Sequence, residues 1–142
     1  MFMTELTYYP GHCHCGSIKL EFQTEWSPAD FALRECDCSF CRRHGARTAR
    51  DPQGQLRLKG QPHWYRFGMA TADFLLCPDC GVYLAAVIKD EDNEYATLNV
   101  NCLEIANELR QPSRPVCYQD ETVEERIARR VTSWTPFIHE PV

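Results

Sequence analysis

Seven of the nine cysteines in this 142-residue chain fall into three tight clusters, and thiols at that density are either metal ligands or a redox device. The densest is Cys36-Asp37-Cys38-Ser39-Phe40-Cys41. Cys36 and Cys38 stand two apart, so an extended strand turns both thiols to one face, and a turn after Ser39 brings Cys41 to join them. Zinc takes four tetrahedral ligands, and three protein ligands leave its fourth position open to water or a substrate. The triplet therefore reads as an open metal site.

The other clusters are pairs, Cys13 with Cys15 in Gly-His-Cys-His-Cys-Gly, and Cys77 with Cys80 in Cys-Pro-Asp-Cys-Gly. Each pair needs a second pair to close a tetrahedron. The economical solution joins Cys13, Cys15, Cys77 and Cys80 around one zinc, a closed and therefore structural site whose binding energy is folding energy. Cys102 and Cys117 remain, in apolar, strand-like settings where a free cysteine behaves as a small buried hydrophobe. His44, three residues after Cys41, is a fourth ligand, a proton donor beside the triplet, or a loop histidine. His12 and His14 interleave with Cys13 and Cys15 and point away from them. Between residues 42 and 50 stand Arg42, Arg43, Arg47 and Arg50 with no acid among them. They form either a patch for an anionic substrate or a solvated loop.

Short strands separated by turns must position these groups. Residues 1–10 read as a mobile or edge-lying leader. Ile18, Leu20 and Phe22 alternate with Lys19 and Glu21, and Phe31 and Leu33 carry the same period into the triplet, which places it at a strand end. Leu56 with Leu58, Trp64 to Phe67, Phe74 to Leu76, Val82 to Ile88 and Tyr95 to Val100 give further strands. Gly60 to Pro62 and the acidic run 89–94 form turns between them. Thr122 and Glu125 have capping-box spacing, with Val123, Ile127 and Val131 at helical intervals, so one short C-terminal helix is expected, limited by Pro136. The chain is expected to be one mainly β domain over 1–142.

Composition narrows the function. A net charge of -5 speaks against a general nucleic-acid partner. No apolar run approaches the roughly 18 residues of a membrane span, and the first residues lack a secretory pattern. The expected setting is cytoplasmic, where cysteines hold metal or catalyse rather than form disulfides.

In this order, Gly-x-Cys-x-Cys-Gly at 11–16, Cys-x-Cys-Ser-x-Cys-Arg at 36–42 and Phe-x-x-Cys-x-x-Cys-Gly at 74–81 resemble the family of glutathione-dependent formaldehyde-activating enzymes and centromere protein V. Leu-Asn-Val-Asn-Cys-Leu-Glu at 98–104 is also similar, so the resemblance spans about residues 11–105. It implies a β-tent of antiparallel sheets, a structural zinc on Cys13, Cys15, Cys77 and Cys80, and a catalytic zinc on Cys36, Cys38 and Cys41. The implied activity is condensation of glutathione with formaldehyde to S-(hydroxymethyl)glutathione, a carbon-sulfur lyase reaction with a small-molecule thiol as partner. A thiol at the open position would lose its proton and attack the aldehyde, with His44 or an arginine steadying the alkoxide. Arg42 and Arg43 would hold the glutathione carboxylates. Two competing expectations stand beside this one. The first is a zinc-stapled binding module without turnover; the second is a redox switch in which the triplet oxidises reversibly.

Overall fold

Period-two alternation builds most of the chain. The computed structural model describes residues 5–141. Strands β1 (Thr7–His12) and β2 (Lys19–Thr24) form an antiparallel hairpin whose inward side chains, among them Leu20 and Phe22, are buried. Phe31 and Leu33 enter the same core and lead into β3 (Arg34–Cys36). Helix α1 (Ser39–His44) and the two-residue strand β4 (Thr48–Ala49) follow. Then come β5 (Gln55–Lys59), β6 (His63–Tyr65) and β7 (Asp73–Leu76). The long pair β8 (Tyr83–Asp90) and β9 (Asn93–Asn99) turns at residues 91 and 92. Strand β10 (Arg114–Val116), helix α2 (Val123–Ser133) and β11 (Thr135–Glu140) complete the order.

The strands make two sheets joined along β11, which pairs with β9 through Thr135 and Pro136 and with β5 from Phe137 onward. Strand β5 continues to β2 and β1, while β9 continues to β8, β7 and β6 on one side and to β4, β3 and β10 on the other. The mainly β class and the tent-like meeting of two sheets agree with the expectation. The principal core, with Phe22, Leu56, Leu58, Leu75, Leu98 and Phe137, lies between them. Buried Asp51 accepts from the Thr24 hydroxyl at 2.6 Å, while its amide donates to the Thr135 hydroxyl at 2.7 Å, which ties β2 to β11 at their junction.

Strand β8 is an unbroken buried run from Tyr83 to Ile88, as a strand covered on both faces requires. Its pairing with β7 slips by one residue, because Leu75 faces Ala85 but Leu76 faces Tyr83. Without that bulge Tyr83 would share a face with Ala85 and Val87 in the principal core. With it, Tyr83 joins Ala86 and Ile88 in a second cluster with Cys41, Ala46, Ala72 and Trp134.

Several elements depart from expectation. Of the leader at 1–10, residues 1–4 lie outside the described residues and Thr7 onward is the edge strand β1. The polar segment after the triplet is helical, since Cys38 caps α1 and its thiol accepts the Cys41 amide. Strand β11 was not expected; Pro136 does follow the end of α2, but a strand residue can be proline where the partner does not need its N–H. The sheets are not purely antiparallel, because β10 runs parallel to β3 and β11 to β5. The intervening chain in both cases is long enough for the crossover that a parallel pair demands. No helix among the described residues is long and apolar enough to cross a membrane.

The Thr122 capping box is present, with the Glu125 amide 3.1 Å from the Thr122 hydroxyl and the Thr122 amide 3.0 Å from the Glu125 carboxylate. Thr122→Ala should cost about 1 kcal/mol and lower the melting temperature by about 4 °C, with Thr122→Ser close to wild type in thermal denaturation. An unchanged Thr122→Ala melt would mean that packing alone holds α2.

Candidate metal centres and an arginine-lined cavity

Cys13 and Cys15 sit in the turn between β1 and β2, and Cys77 and Cys80 in the turn between β7 and β8. The four Sγ atoms lie within 4.8 Å of one another. Two of the separations are 3.6 Å for Cys13 to Cys15 and 3.7 Å for Cys15 to Cys77. A tetrahedron with zinc-sulfur bonds of about 2.3 Å has edges of about 3.8 Å, so this donor set fits the ion in both chemistry and spacing. The local backbone is bent to achieve it. Gly16 and Gly81, each directly after the second cysteine of its pair, have φ of +84° and +80°, a conformation that costs a side-chain-bearing residue strain. The Asp79 and Cys80 amides both donate to Cys77 Sγ at 3.4 Å. Burial raises the Cys77 thiol, but the Ser17 hydroxyl and these amides outweigh it and bring its pKa down to about 6. His12 and His14 are exposed and turned away, as expected.

The triplet is assembled by a strand end and a helix start. Cys36 ends β3, Cys38 is the N-cap of α1, and Cys41 lies in its first turn with its amide 3.3 Å from Cys38 Sγ. A helical turn therefore does what a simple reversal was expected to do, and the three Sγ atoms come within 4.8 Å of one another. Their protons are shared: hydrogen bonds from Cys36 and Cys41, with the Cys41 and Phe40 amides, favour the Cys38 thiolate and lower its pKa to about 2. The same bonds raise Cys36 and Cys41. Among the described residues no fourth ligand atom joins the three.

His44 is not that ligand. It is exposed on the last turn of α1, with its ring tilted against Phe40 at a centroid distance of 4.4 Å, and it does not line the neighbouring cavity. Cys102 is buried as expected, in a 3₁₀ turn rather than a strand, where its thiol donates to the Tyr83 carbonyl at 3.4 Å and burial raises its pKa to about 12. Cys117 corrects the expectation, for it is exposed just beyond β10, a sheet-edge strand.

The triplet opens onto a cavity of about 480 Å³, in the range of small-molecule sites. Phe67, Phe74, Tyr83 and Trp134 form its apolar lining. Burial, then the adjacent thiols, raise the Tyr83 phenol, which keeps it protonated. Of the four expected arginines, Arg42 and Arg50 line the cavity. Arg43 is exposed and donates back to the Ser39 carbonyl, and Arg47 is occupied by Asn101 and the Leu109 and Ala106 carbonyls. Four further arginines on the wall were missed: Arg34 from β3, and Arg126, Arg129 and Arg130 from α2. The signal was visible, since 126, 129 and 130 share one helical face. Of the apolar residues expected at helical intervals, Ile127 and Val131 are half-buried and Val123, in the first turn, is 40% exposed, while Arg130 is 8% exposed.

Comparison with known proteins follows from this geometry. The model of a family described as glutathione-dependent formaldehyde-activating enzyme matches residues 8–120. The chain is also similar to a protein from Rhodobacter sphaeroides known from a crystal structure. That similarity is 35% in sequence over 75% of this chain and 97% of the other, with a TM-score of 0.54. The family match ends before α2 begins.

The leftover thiols give a direct check on the placement. Brief iodoacetamide treatment of the native protein at pH 8 should label Cys117 and leave Cys102 unmodified, read by peptide mass mapping. Equal labelling of the two would mean that the turn holding Cys102 opens readily.

Proposed function

The chain belongs to the glutathione-dependent formaldehyde-activating enzyme family, and from that membership we propose a zinc-dependent enzyme that adds a glutathione-like thiol to formaldehyde. The observation that carries this reading is the thiol triplet, joined by no fourth ligand among the described residues, facing a cavity of substrate size. A binding module with a purely structural second metal would call for His44, Cys102 or Cys117 to complete the triplet. None of the three belongs to it.

In this reading Cys13, Cys15, Cys77 and Cys80 hold a structural zinc, and Cys36, Cys38 and Cys41 hold the second. Zinc on three thiolates supplies one open position, at which a substrate thiol gives up its proton. The reaction then balances simply. The substrate sulfur forms a bond to the aldehyde carbon, the carbonyl π pair moves to oxygen, and that oxygen takes up the proton the thiol released. The product is the S-hydroxymethyl adduct, and the reverse step is a carbon-sulfur cleavage, which places the enzyme among the lyases. Phe67, Phe74 and Trp134 limit water around the reacting carbon. Arg42, one turn along α1 from Cys38 and on the cavity wall, is the group to steady the developing alkoxide, a part His44 cannot take from outside the cavity. Arg43 faces away from the cavity, so carboxylate binding by Arg42 and Arg43 together is replaced by Arg42 at the reacting end. The whole chain acts as one domain. A cytoplasmic setting suits it, since a reducing compartment keeps all nine cysteines free.

Zinc content per chain, thiol binding and adduct formation test this together. Wild type should carry two zincs, Cys38→Ser one with thiol binding lost, and Cys15→Ser one with a lowered melting temperature. Arg42→Gln should lower kcat/KM for S-(hydroxymethyl)glutathione formation, followed by NMR, by about a hundredfold. Two zincs with neither thiol binding nor adduct formation would establish the binding module instead.

A further inference from the structure

The cavity is also lined by arginines that the reaction does not require. Arg126, Arg129 and Arg130 project from α2, and Arg34 and Arg50 from the β3 and β4 region. Carboxylates are few around them: Asp37 on the wall, and Glu121, which is taken up by Arg129 at 2.8 and 3.0 Å and lies 3.8 Å from Arg126. The protein as a whole is acidic, at -5, so this is a local reversal of sign.

Arg130 is the most informative. It is 8% exposed, and among the described residues it is in no ion pair. One terminal nitrogen donates to the Thr71 hydroxyl at 3.0 Å and carbonyl at 3.3 Å, and the guanidinium lies 4.8 Å over the Trp134 ring. Its Nε makes no hydrogen bond; that of Arg126 makes none either, although it lies 3.8 Å from the Glu121 carboxylate. A buried guanidinium with unused donors costs folding energy unless an anion completes it. Burial, then Arg129 and Arg126, lower the Arg130 pKa to about 10, so it remains a cation at neutral pH. Arg50 is lowered for the same reasons, by burial and by Arg34. Arg129, by contrast, is satisfied: it pairs with Glu121 and lies 3.5 Å over the Tyr118 ring. It acts as a brace for its neighbours.

We propose that Arg126 and Arg130 of α2, with Arg50, form a carboxylate subsite that selects an acidic thiol by its charged end while its sulfur reaches the cysteine triplet. This deepens the proposed thiol reaction and rests on it for the thiol; Arg50 lies within the family-matched residues 8–120, whereas Arg126 and Arg130 belong to a helix beyond them. Two of the three guanidiniums are therefore supplied by this chain's C-terminal segment. Planar guanidinium forks suit carboxylates, and Nε donors free of hydrogen bonds are the ones a bidentate contact uses.

Calorimetric titration of the zinc-loaded wild type, Arg130→Gln and Arg126→Gln tests this with four probes. These are glutathione, its diethyl ester (thiol kept, carboxylates neutralised), S-methylglutathione (carboxylates kept, thiol blocked) and inorganic phosphate. Each substitution should weaken glutathione and S-methylglutathione roughly ten- to hundredfold and change the diester by less than about twofold. The diester should bind wild type at least about tenfold more weakly than the acid. Zinc content and melting temperature report folding. If Arg130→Gln does not fold, Arg126→Gln and the wild-type ester comparison decide alone. Unchanged glutathione affinity in both variants, or equal losses for acid and ester, overturns the subsite. Phosphate binding that depends on Arg130, with no glutathione binding, overturns the acidic-thiol assignment. Arginine-dependent S-methylglutathione binding without any formaldehyde adduct supports the subsite and rejects the reaction.

Discussion

The closure of two hairpin turns on each other by Cys13, Cys15, Cys77 and Cys80 is the constraint on which the rest depends. The β1–β2 turn belongs to one sheet and the β7–β8 turn to the other, and apart from β11 little backbone pairing joins the sheets. Four thiols within 4.8 Å clamp them at the end remote from that junction. Each turn gives up something to make the clamp. Gly16 and Gly81 take left-handed backbone, and amides that could serve a ladder point at sulfur instead. Thiols so close repel once ionised, and a metal ion bound there would relieve that repulsion and add its binding energy to the fold.

The clamp also sets the site. The Cys77–Cys80 turn feeds directly into β8, and the one-residue slip opposite Leu75 and Leu76 lies next to it. That slip turns Tyr83 out of the principal core and under the triplet, where it packs 4.9 Å from Phe40 of α1. Its carbonyl is meanwhile held by Asn99 at 2.9 Å. One bulge therefore couples the four-thiol cluster to the floor of the triplet. A β8 without the slip would leave the cavity without that wall and overfill the core behind it.

The sequence carried the ligand arithmetic in full. Spacing alone separated the four-thiol set from the triplet, because two residues between cysteines, or one, is a covalent constraint on where sulfur atoms can meet. The alternating strands were legible for the same reason. What could not be read was anything decided by partners distant in the chain. Helix α1 hides in a polar run because its support is a cap by Cys38 and an aromatic cluster from β6 and β7. Strand β11 is a strand only because β5 and β9 leave edges to fill. Cys117 looked apolar from Val116, yet it is exposed just past β10, the last strand in its sheet's order. The arginines of α2 were the largest miss, because Thr71, which accepts from Arg130, is distant in the chain.

Burying Arg130 is physically odd and therefore informative, because it adds the desolvation of a guanidinium beside the half-buried Ile127 and Val131. What offsets this within the chain is modest: the Thr71 contacts of Arg130, the Trp134 ring, and the Glu121 brace on Arg129. Folding stability alone does not favour such a helix. The departure from the hydrophobic rule is concentrated at the one cavity in the molecule that also holds three convergent thiols, and local rules are broken in this way where a ligand repays the cost. A bound carboxylate would do so, by pairing the buried charge and using the idle Nε donors of Arg126 and Arg130. The same logic explains why Arg129 carries its own counter-ion and Arg130 does not. The brace must hold with the cavity empty, whereas the binding group must wait.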